Sequence, residues 1–446
     1  MLEPGIIPEE EPDIRVGIIL PEDGQKSINI ELSNSDEYLL VDPDHELTKL
    51  HPGDTIEFSQ NNKLIEAKIE SNIQKSEEWK IIPVNADYKM KNEAGVCVKD
   101  VISGRSFHWE KHIDVFIPGK IEISIHGNNL MVVNELPLEQ YLMCVATSEM
   151  SSTCPGALIE SQTICARSWM LANVEQKHRY LGFDVCNDDC CQRYQGTTHL
   201  SQQSIEGAMN TRGKVLMYHG DICDARYSKS CGGVMETFEN VWENTPLDYM
   251  QPLPDAPENY ENTNLPLDSE EKVRNWIETV PNTFCSPHTI PEDELKKYLG
   301  SVDEEGSYFR WEFEYSQQEM RGLLNKKLDI QADKILAITP VKRGYSGRLI
   351  EVEVSYKQGS ETKSRIVEDQ YDIRDTFNES FLYSSAFVVD IEGGGVPEKF
   401  ILKGAGWGHG AGYCQIGAVG MALKGYTTQE IVYHYFPGSE LKEIYK

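Results

Sequence analysis

Short runs rich in Ile and Val fill the chain from Ile14 to about Asn134 and then give way to helical spacing. IRVGIIL, SINIEL, TIEFS, KIEISI and LMVVN are separated by Gly, Asn and Asp, as strands joined by turns are. From Leu136 the period changes. In LPLEQYLMCVATSEM the apolar residues Leu138, Tyr141, Leu142 and Val145 recur at helical intervals. SSTCP breaks that run. Thr153 can cap, and Pro155 suits the first turn of a second helix, PGALIESQTICARSWMLANVEQK. This order predicts an α+β fold of mixed helices and mainly antiparallel strands, with a β-rich N-terminal region.

The later chain is more broken. KVLMYHG and DICDARYS read as a hairpin about His219–Gly220. Residues 254–305 are dense in Pro, Asn, Asp and Glu, with short helices such as SEEKVRNWIE, and read as an insertion. YFRWEFEYS, KILAITPVKR and RLIEVEVSYKQ return to strand patterns. A Gly-dense loop, GAGWGHGAGYCQIGA, then leads into an amphipathic helix through Ala418–Lys424. A last helix, TTQEIVYHYF, ends at Pro437–Gly438. Residues 1–15 are acidic and Pro-rich, a composition that predicts disorder.

Size and charge limit the function classes. With 446 residues, 39% of them hydrophobic, the chain can bury a core and form two or three domains. Its 72 acidic residues against 42 basic give a formal net charge of -30, which repels nucleic-acid phosphates and anionic lipid heads. No apolar run approaches the roughly 18–20 residues that span a bilayer. The acidic start shows no basic and apolar leader, so the chain is either cytosolic or exported by a leader outside it. Eleven cysteines cannot all pair within one chain. Three of them cluster at Cys186, Cys190 and Cys191, which suggests a local metal site more than a stapled scaffold.

Two separated blocks resemble one known family. The first is LPLEQYLMCVATSEMSSTCPGALIESQTICARSWML, followed by CQRYQG, TRGKVLMYHG and ARYSKSCGG, with Trp242 shortly after. The second is IRDTFNESFLYSSAFVV, then GAGWGHGAGYCQIGAVGMALKGYTTQEIVYHYFPGSEL. In order and spacing they resemble the stage II sporulation protein D (SpoIID) / LytB family, over roughly residues 120–250 and 335–441. Composition and the resemblance together divide the chain into a disordered acidic 1–15, a β-rich 16–119, a first core block 120–253, an acidic insertion 254–305, and a second block 306–446. The two blocks would form one catalytic core.

The resemblance implies a peptidoglycan lytic transglycosylase. Such an enzyme cleaves the bond between N-acetylmuramic acid and N-acetylglucosamine without water, leaves a 1,6-anhydro end, and favours strands stripped of stem peptides. It places the protein at the cell envelope, outside the cytoplasm. The alternative it carries is a non-catalytic, LytB-type glycan binder that enhances a cell-wall amidase. It implies that Glu149 is the catalytic acid and that Arg167, Tyr227 and Lys229 line the substrate groove.

The residues can be weighed for that chemistry. A glycosidic oxygen leaves poorly unless protonated, and hydrolases usually use two carboxylates for the task. A lytic transglycosylase manages with one, which gives a proton to the leaving oxygen and takes one from the C6 hydroxyl of the same sugar. Such an acid needs an apolar setting. Glu149 sits beside Met150 at a break between helices; the plain alternative is a solvated helix-end Glu. Arg167 lies among Ile164, Ala166, Trp169 and Met170 and needs an anionic partner. That partner is either the lactyl carboxylate of stripped glycan, held bidentately, or a protein carboxylate such as Glu149. His409 and Gln415 could hydrogen-bond sugar hydroxyls, and the loop glycines allow close backbone approach. Trp407 reads more as packing than as a sugar platform.

Cys186, Cys190 and Cys191, with His178 upstream, are spaced to hold one zinc ion. The resemblance carries a zinc site here in some members, with a His just before the second Cys; this chain has Cys190 there. The alternative is free or disulfide-paired thiols. A bound zinc would be structural, since the chemistry requires no cofactor.

Overall fold

The structure is a computed structural model. It describes all residues except 34–36, 45–46, 86–89, 106, 108–109, 244, 261–264, 301–302 and 304–305. The described chain forms two compact units. The first comprises Met1–Asp224, Tyr298–Glu304 and Leu441–Lys446; the second comprises Ala225–Lys297 and Glu305–Glu440. Each has mixed helices and mainly antiparallel strands, the α+β class expected.

Two large sheets dominate the first unit, beside a small three-stranded one that pairs Lys214–Tyr218 with Asp221–Ile222 and Glu440–Glu443. A 7-stranded sheet runs Val185–Cys186, Asp13–Ile19, Asn129–Pro137, Lys120–His126, Trp79–Pro83, Tyr38–Val41, Leu47–Leu50. A 6-stranded sheet runs Lys111–Ile117, Val96–Ser103, Ser27–Leu32, Thr55–Asn61, Leu64–Ile69, Asn72–Ser76. Alternation drives both: in Ser27–Leu32 every second residue, Ile28, Ile30 and Leu32, is buried. Helix α1 (Leu138–Glu149) is buried on nearly all sides, its polar residues Glu139, Thr147, Ser148 and Glu149 included. Helix α2 (Gly156–Ala172) starts one residue later than the sequence suggested, with Pro155 as the N-cap residue and no side-chain cap from Thr153; it stops at Asn173 in the left-handed region. Helix α3 (Gln202–Asn210) closes the layer.

The unit boundary falls at 224/225, inside the first block, and no boundary separates 16–119 from the helices. The reason is a shared core: Leu138, Tyr141, Leu142 and Val145 pack in one cluster with Ile14, Val16, Ile121 and Ile123. The N-terminal segment departs from the expected disorder. Leu2 N–H donates to Asp184 Oδ1 at 2.7 Å, Glu11 pairs with Arg212, and Asp13 already begins a strand. Glu3 and Glu11 have basic partners in Arg179 and Arg212, so composition alone misjudged it. At the other end Tyr445 is buried, its hydroxyl donating to Glu139 Oε1 at 2.8 Å.

In the second unit one three-stranded sheet orders Arg310–Ser316, Lys399–Ala405, Phe387–Glu392, and another orders Lys334–Arg343, Leu349–Gln358, Glu361–Glu368. Helices Gln317–Leu328 and Gln370–Thr376 contribute Met320, Leu324, Ile373 and Phe377 to a core with Trp311, Leu349, Val352, Phe387 and Leu402. The 254–305 segment is not peripheral. Asp255, Leu267, Val273, Phe284 and Cys285 are buried, and Leu267, Val273, Trp276 and Ile277 form a cluster with Val234, Val388 and Ala405. Among the described residues no helix is long and apolar enough to cross a membrane.

Candidate functional site

Glu149 closes α1, where the backbone turns extended at Met150 (φ -135, ψ 156). The cause is a crossing segment of the same unit: Met150 bridges Leu299, and Ser151 N–H donates to Tyr298 O at 3.1 Å. Gly300 fits there because a Cβ would meet Glu149 O at 3.0 Å and Ser148 O at 3.1 Å. Glu149 is only 7% exposed, which removes the solvated helix-end alternative. Its Oε1 accepts the backbone N–H of Arg193 at 3.0 Å.

The segment that holds it is CQRYQG. Arg193 is buried and pairs with Asp189 and Asp303, each at 3.0 Å. Burial opposes its charge, and Asp189, Asp303 and Glu149 favour it strongly enough to win. Gln195 N–H donates to Ser148 Oγ at 3.0 Å, and Tyr141 donates to Gln192 Oε1 at 3.0 Å. These bonds lace the segment to the end of α1. The Gln195 side chain is 2% exposed, and neither amide atom has a hydrogen-bond partner. A buried amide left so is expensive unless something fills its bonds.

Arg167 stands elsewhere. It is fully buried and forms a bidentate pair with Glu139, Nε to Oε1 at 2.9 Å and Nη2 to Oε2 at 2.6 Å. Its Nη1 donates to Lys214 O at 3.0 Å. Its anionic partner is therefore a protein carboxylate, Glu139 rather than Glu149, and Arg167 lines no groove.

Cys186, Cys190, Cys191 and His178 converge, their ligand atoms all within 4.8 Å of one another. Cys186 Sγ lies 3.0 Å from Cys190 Sγ, and Cys190 Sγ lies 3.8 Å from His178 Nε2. Hydrogen bonds from Cys186 and Cys191 hold Cys190 far below the usual thiol range, while Cys186 and Cys191 are pushed up. Three cysteine sulfurs and an imidazole form a donor set that zinc accepts, with release of the thiol protons.

The other predicted contacts lie in the second unit. Tyr227–Ser228 pairs in parallel with Tyr413–Cys414, which fixes the Gly-dense loop. His409 Nε2–H donates to Tyr227 O at 3.0 Å, and its Nδ1 accepts from Ala411 N–H at 3.1 Å. Both ring nitrogens are thus used by backbone, so His409 holds the loop and has no nitrogen left for a sugar hydroxyl. Burial, then the charges of Arg226, Arg348 and Arg374, push it down to about 3. Gln415 is 1% exposed in the first turn of Gln415–Leu423, and Lys229 is buried, its carbonyl accepting from Ile416 N–H at 3.0 Å. Neither presents much surface to a glycan. Trp407 stacks on Tyr383 with centroids 3.8 Å apart, the packing role expected of it. At Gly410 (φ 77) a Cβ would collide with the Arg348 guanidinium at 2.2 Å, so here the loop does need glycine.

A family model described as Stage II sporulation protein matches residues 126–218, which include α1, α2 and Glu149. Over this region the chain is similar to the SpoIID/LytB family. A second model, described as a domain of unknown function (DUF8618), matches residues 236–412, which take in only part of the second block. Among similar proteins is the stage II sporulation protein D of Bacillus amyloliquefaciens, 22% identical over 72% of this chain and 79% of its own. The amidase enhancer of Bacillus subtilis (strain 168) is 25% identical over 67% of this chain; the match spans only 39% of that enhancer. An uncharacterized protein of Brachyspira hyodysenteriae is 22% identical over 72% of this chain and 71% of its own. In the region similar to SpoIID the residues gathered about Glu149 include Arg193 and Gln195, and Asp303 joins them from later in the chain. CQRYQG marks the first two in the sequence. Asp303 had no signal, since it lies in the segment read as an insertion.

Proposed function

We propose that this protein shares the SpoIID/LytB role and acts at the bacterial cell wall as a lytic transglycosylase on denuded glycan strands, with Glu149 as its acid and then its base. The carrying observation is the carboxylate of Glu149, 7% exposed at the break after α1 and oriented by the Arg193 N–H. Fixed orientation suits a group that must give a proton to one oxygen and take one from another of the same sugar. Zinc in the His178, Cys186, Cys190 and Cys191 cluster would be structural, tying the 186–191 loop that leads into CQRYQG. The site of action would be extracytoplasmic.

The second reading is a glycan-binding enhancer of a cell-wall amidase, supported by the similarity to the amidase enhancer. It also draws on the closure of Arg167, His409 and Gln415, which leaves the expected substrate groove without three of its contacts. Mass spectrometry of products from denuded strands separates the two. The enzyme yields 1,6-anhydro ends without water incorporation. An enhancer yields no cleavage until the amidase and its own substrate are added.

A further inference from the structure

We infer that Cys231, Asp255, Cys285 and Cys414 form a zinc site inside the second unit, separate from the His178 cluster and independent of how Glu149 acts. All four residues are buried, and one ligand atom from each lies within 4.8 Å of the others. Sulfurs on one tetrahedral zinc, at about 2.3 Å from the metal, sit about 3.8 Å apart. Cys231 Sγ and Cys285 Sγ are 3.7 Å apart. A disulfide would need about 2.0 Å.

The surroundings are built for anionic sulfur. Cys414 Sγ accepts the N–H groups of Cys231 at 3.2 Å and Gly417 at 3.3 Å, and Cys231 Sγ accepts that of Gly233 at 3.4 Å. Cys414 is also the N-cap of Gln415–Leu423, where the helix dipole favours negative charge. Asp255 is fully buried, with Oδ2 accepting Cys285 N–H at 3.0 Å and Oδ1 accepting Tyr435 O–H at 2.8 Å. These bonds orient the carboxylate as outer partners orient a metal ligand. His434 Nε2, 3.8 Å from Asp255 Oδ1, is buried without a hydrogen-bond partner. A buried carboxylate among three thiols is costly unless a cation neutralises it.

Charge balance agrees. Three thiolates and a carboxylate on a divalent ion leave a net charge of about minus two. Arg348 donates to Cys231 O and Arg310 to Gly232 O, and every described hydrogen bond of Arg310 goes to a carbonyl rather than a carboxylate. Gly417 completes the fit, because a Cβ there would meet Asp255 Oδ2 at 2.5 Å. A thiolate-rich tetrahedral set selects zinc over calcium or magnesium. The ion would tie four chain segments together at the foot of the Gly-dense loop, since Cys414 is where that loop ends.

The test uses the full chain. Zinc-edge anomalous diffraction from the wild type should give a peak between the four residues. In solution, Cys186→Ser/Cys190→Ser/Cys191→Ser protein should retain one zinc per chain, and adding Cys285→Ser should remove it. Should those variants not fold, stripping wild-type protein with a strong chelator should expose Cys414 to alkylation and lower the unfolding temperature. The proposal is overturned by a zinc-edge map empty at this position, by a Cys231–Cys285 disulfide in unreduced peptide maps, or by zinc content that Cys285→Ser leaves unchanged.

Discussion

Arg167 and Glu139 meet face to face, both nearly free of solvent, with two N–H···O bonds of 2.9 and 2.6 Å. The pair joins α1 to α2, and Glu139 Oε1 also takes the Gly213 N–H and the Tyr445 hydroxyl. An arginine expected to read a ligand is a keystone of the first unit.

Arg167→Ala should therefore unfold more easily, by about 3–5 kcal/mol, because it strands a buried carboxylate. Arg167→Met combined with Glu139→Leu should recover much of that. Chemical denaturation measures both. Any preference for denuded over peptide-bearing glycan should survive the double substitution, since both groups are buried.

Glu149→Gln should keep the fold, as the amide oxygen can still accept the Arg193 N–H. Turnover should fall by at least the roughly 10²–10⁴-fold that acid–base catalysis supplies. Product analysis in heavy-oxygen water adds a second readout. Label at the new ends would point to hydrolysis, with Asp303 the first carboxylate to test for a partner role.

Phe284→Ala should cost the second unit about 3–5 kcal/mol, since Phe284 is 1% exposed within the segment first read as an insertion. Deleting 256–295 should abolish the cooperative melt of that unit. A deletion that melts like wild type would refute the core role of this segment.

His409 gives a pH signature. Its folded value, about 3, lies below the ordinary histidine range, so the unfolded chain binds the proton more readily. Its contribution to stability is then present above about pH 6.5 and lost as pH falls toward 3, with a slope of at most about 1.4 kcal/mol per pH unit. His409→Gln should flatten the acid limb of the stability curve. An unchanged limb would mean that other groups carry the acid sensitivity.

The sequence disclosed some of this well. Ser27–Leu32, Lys120–His126 and the turn at His219–Gly220 appear where alternation and turn chemistry put them, with His219 at φ 52 and Gly220 at φ 98. Asn72–Ser76 was silent because four of its five residues are exposed and leave no period to read. Glu149 was legible from TSEM, yet its holder, Arg193 N–H, is backbone and carries no sequence signature. Arg167 was correctly judged to need an anion, but whether ligand or Glu139 depends on packing between two helices. Cys231 and Cys285 are 54 residues apart, and Cys231 and Cys414 are 183 apart, so no spacing motif could announce that cluster.

Tyr445 closes the first unit from the far side of a long excursion. The chain leaves that unit after Asp224 and rejoins it at Leu441, apart from residues 298–304. During synthesis the ribosome therefore delivers the sheets and helices of the first unit well before the residue that caps Glu139. Until residue 445 has emerged, the buried carboxylate lacks one of its donors, which predicts a nascent first unit that is a folding intermediate rather than a finished domain. Truncation just before Leu441 should trap that intermediate, visible as a first unit with native far-ultraviolet signal and rapid amide exchange around α1.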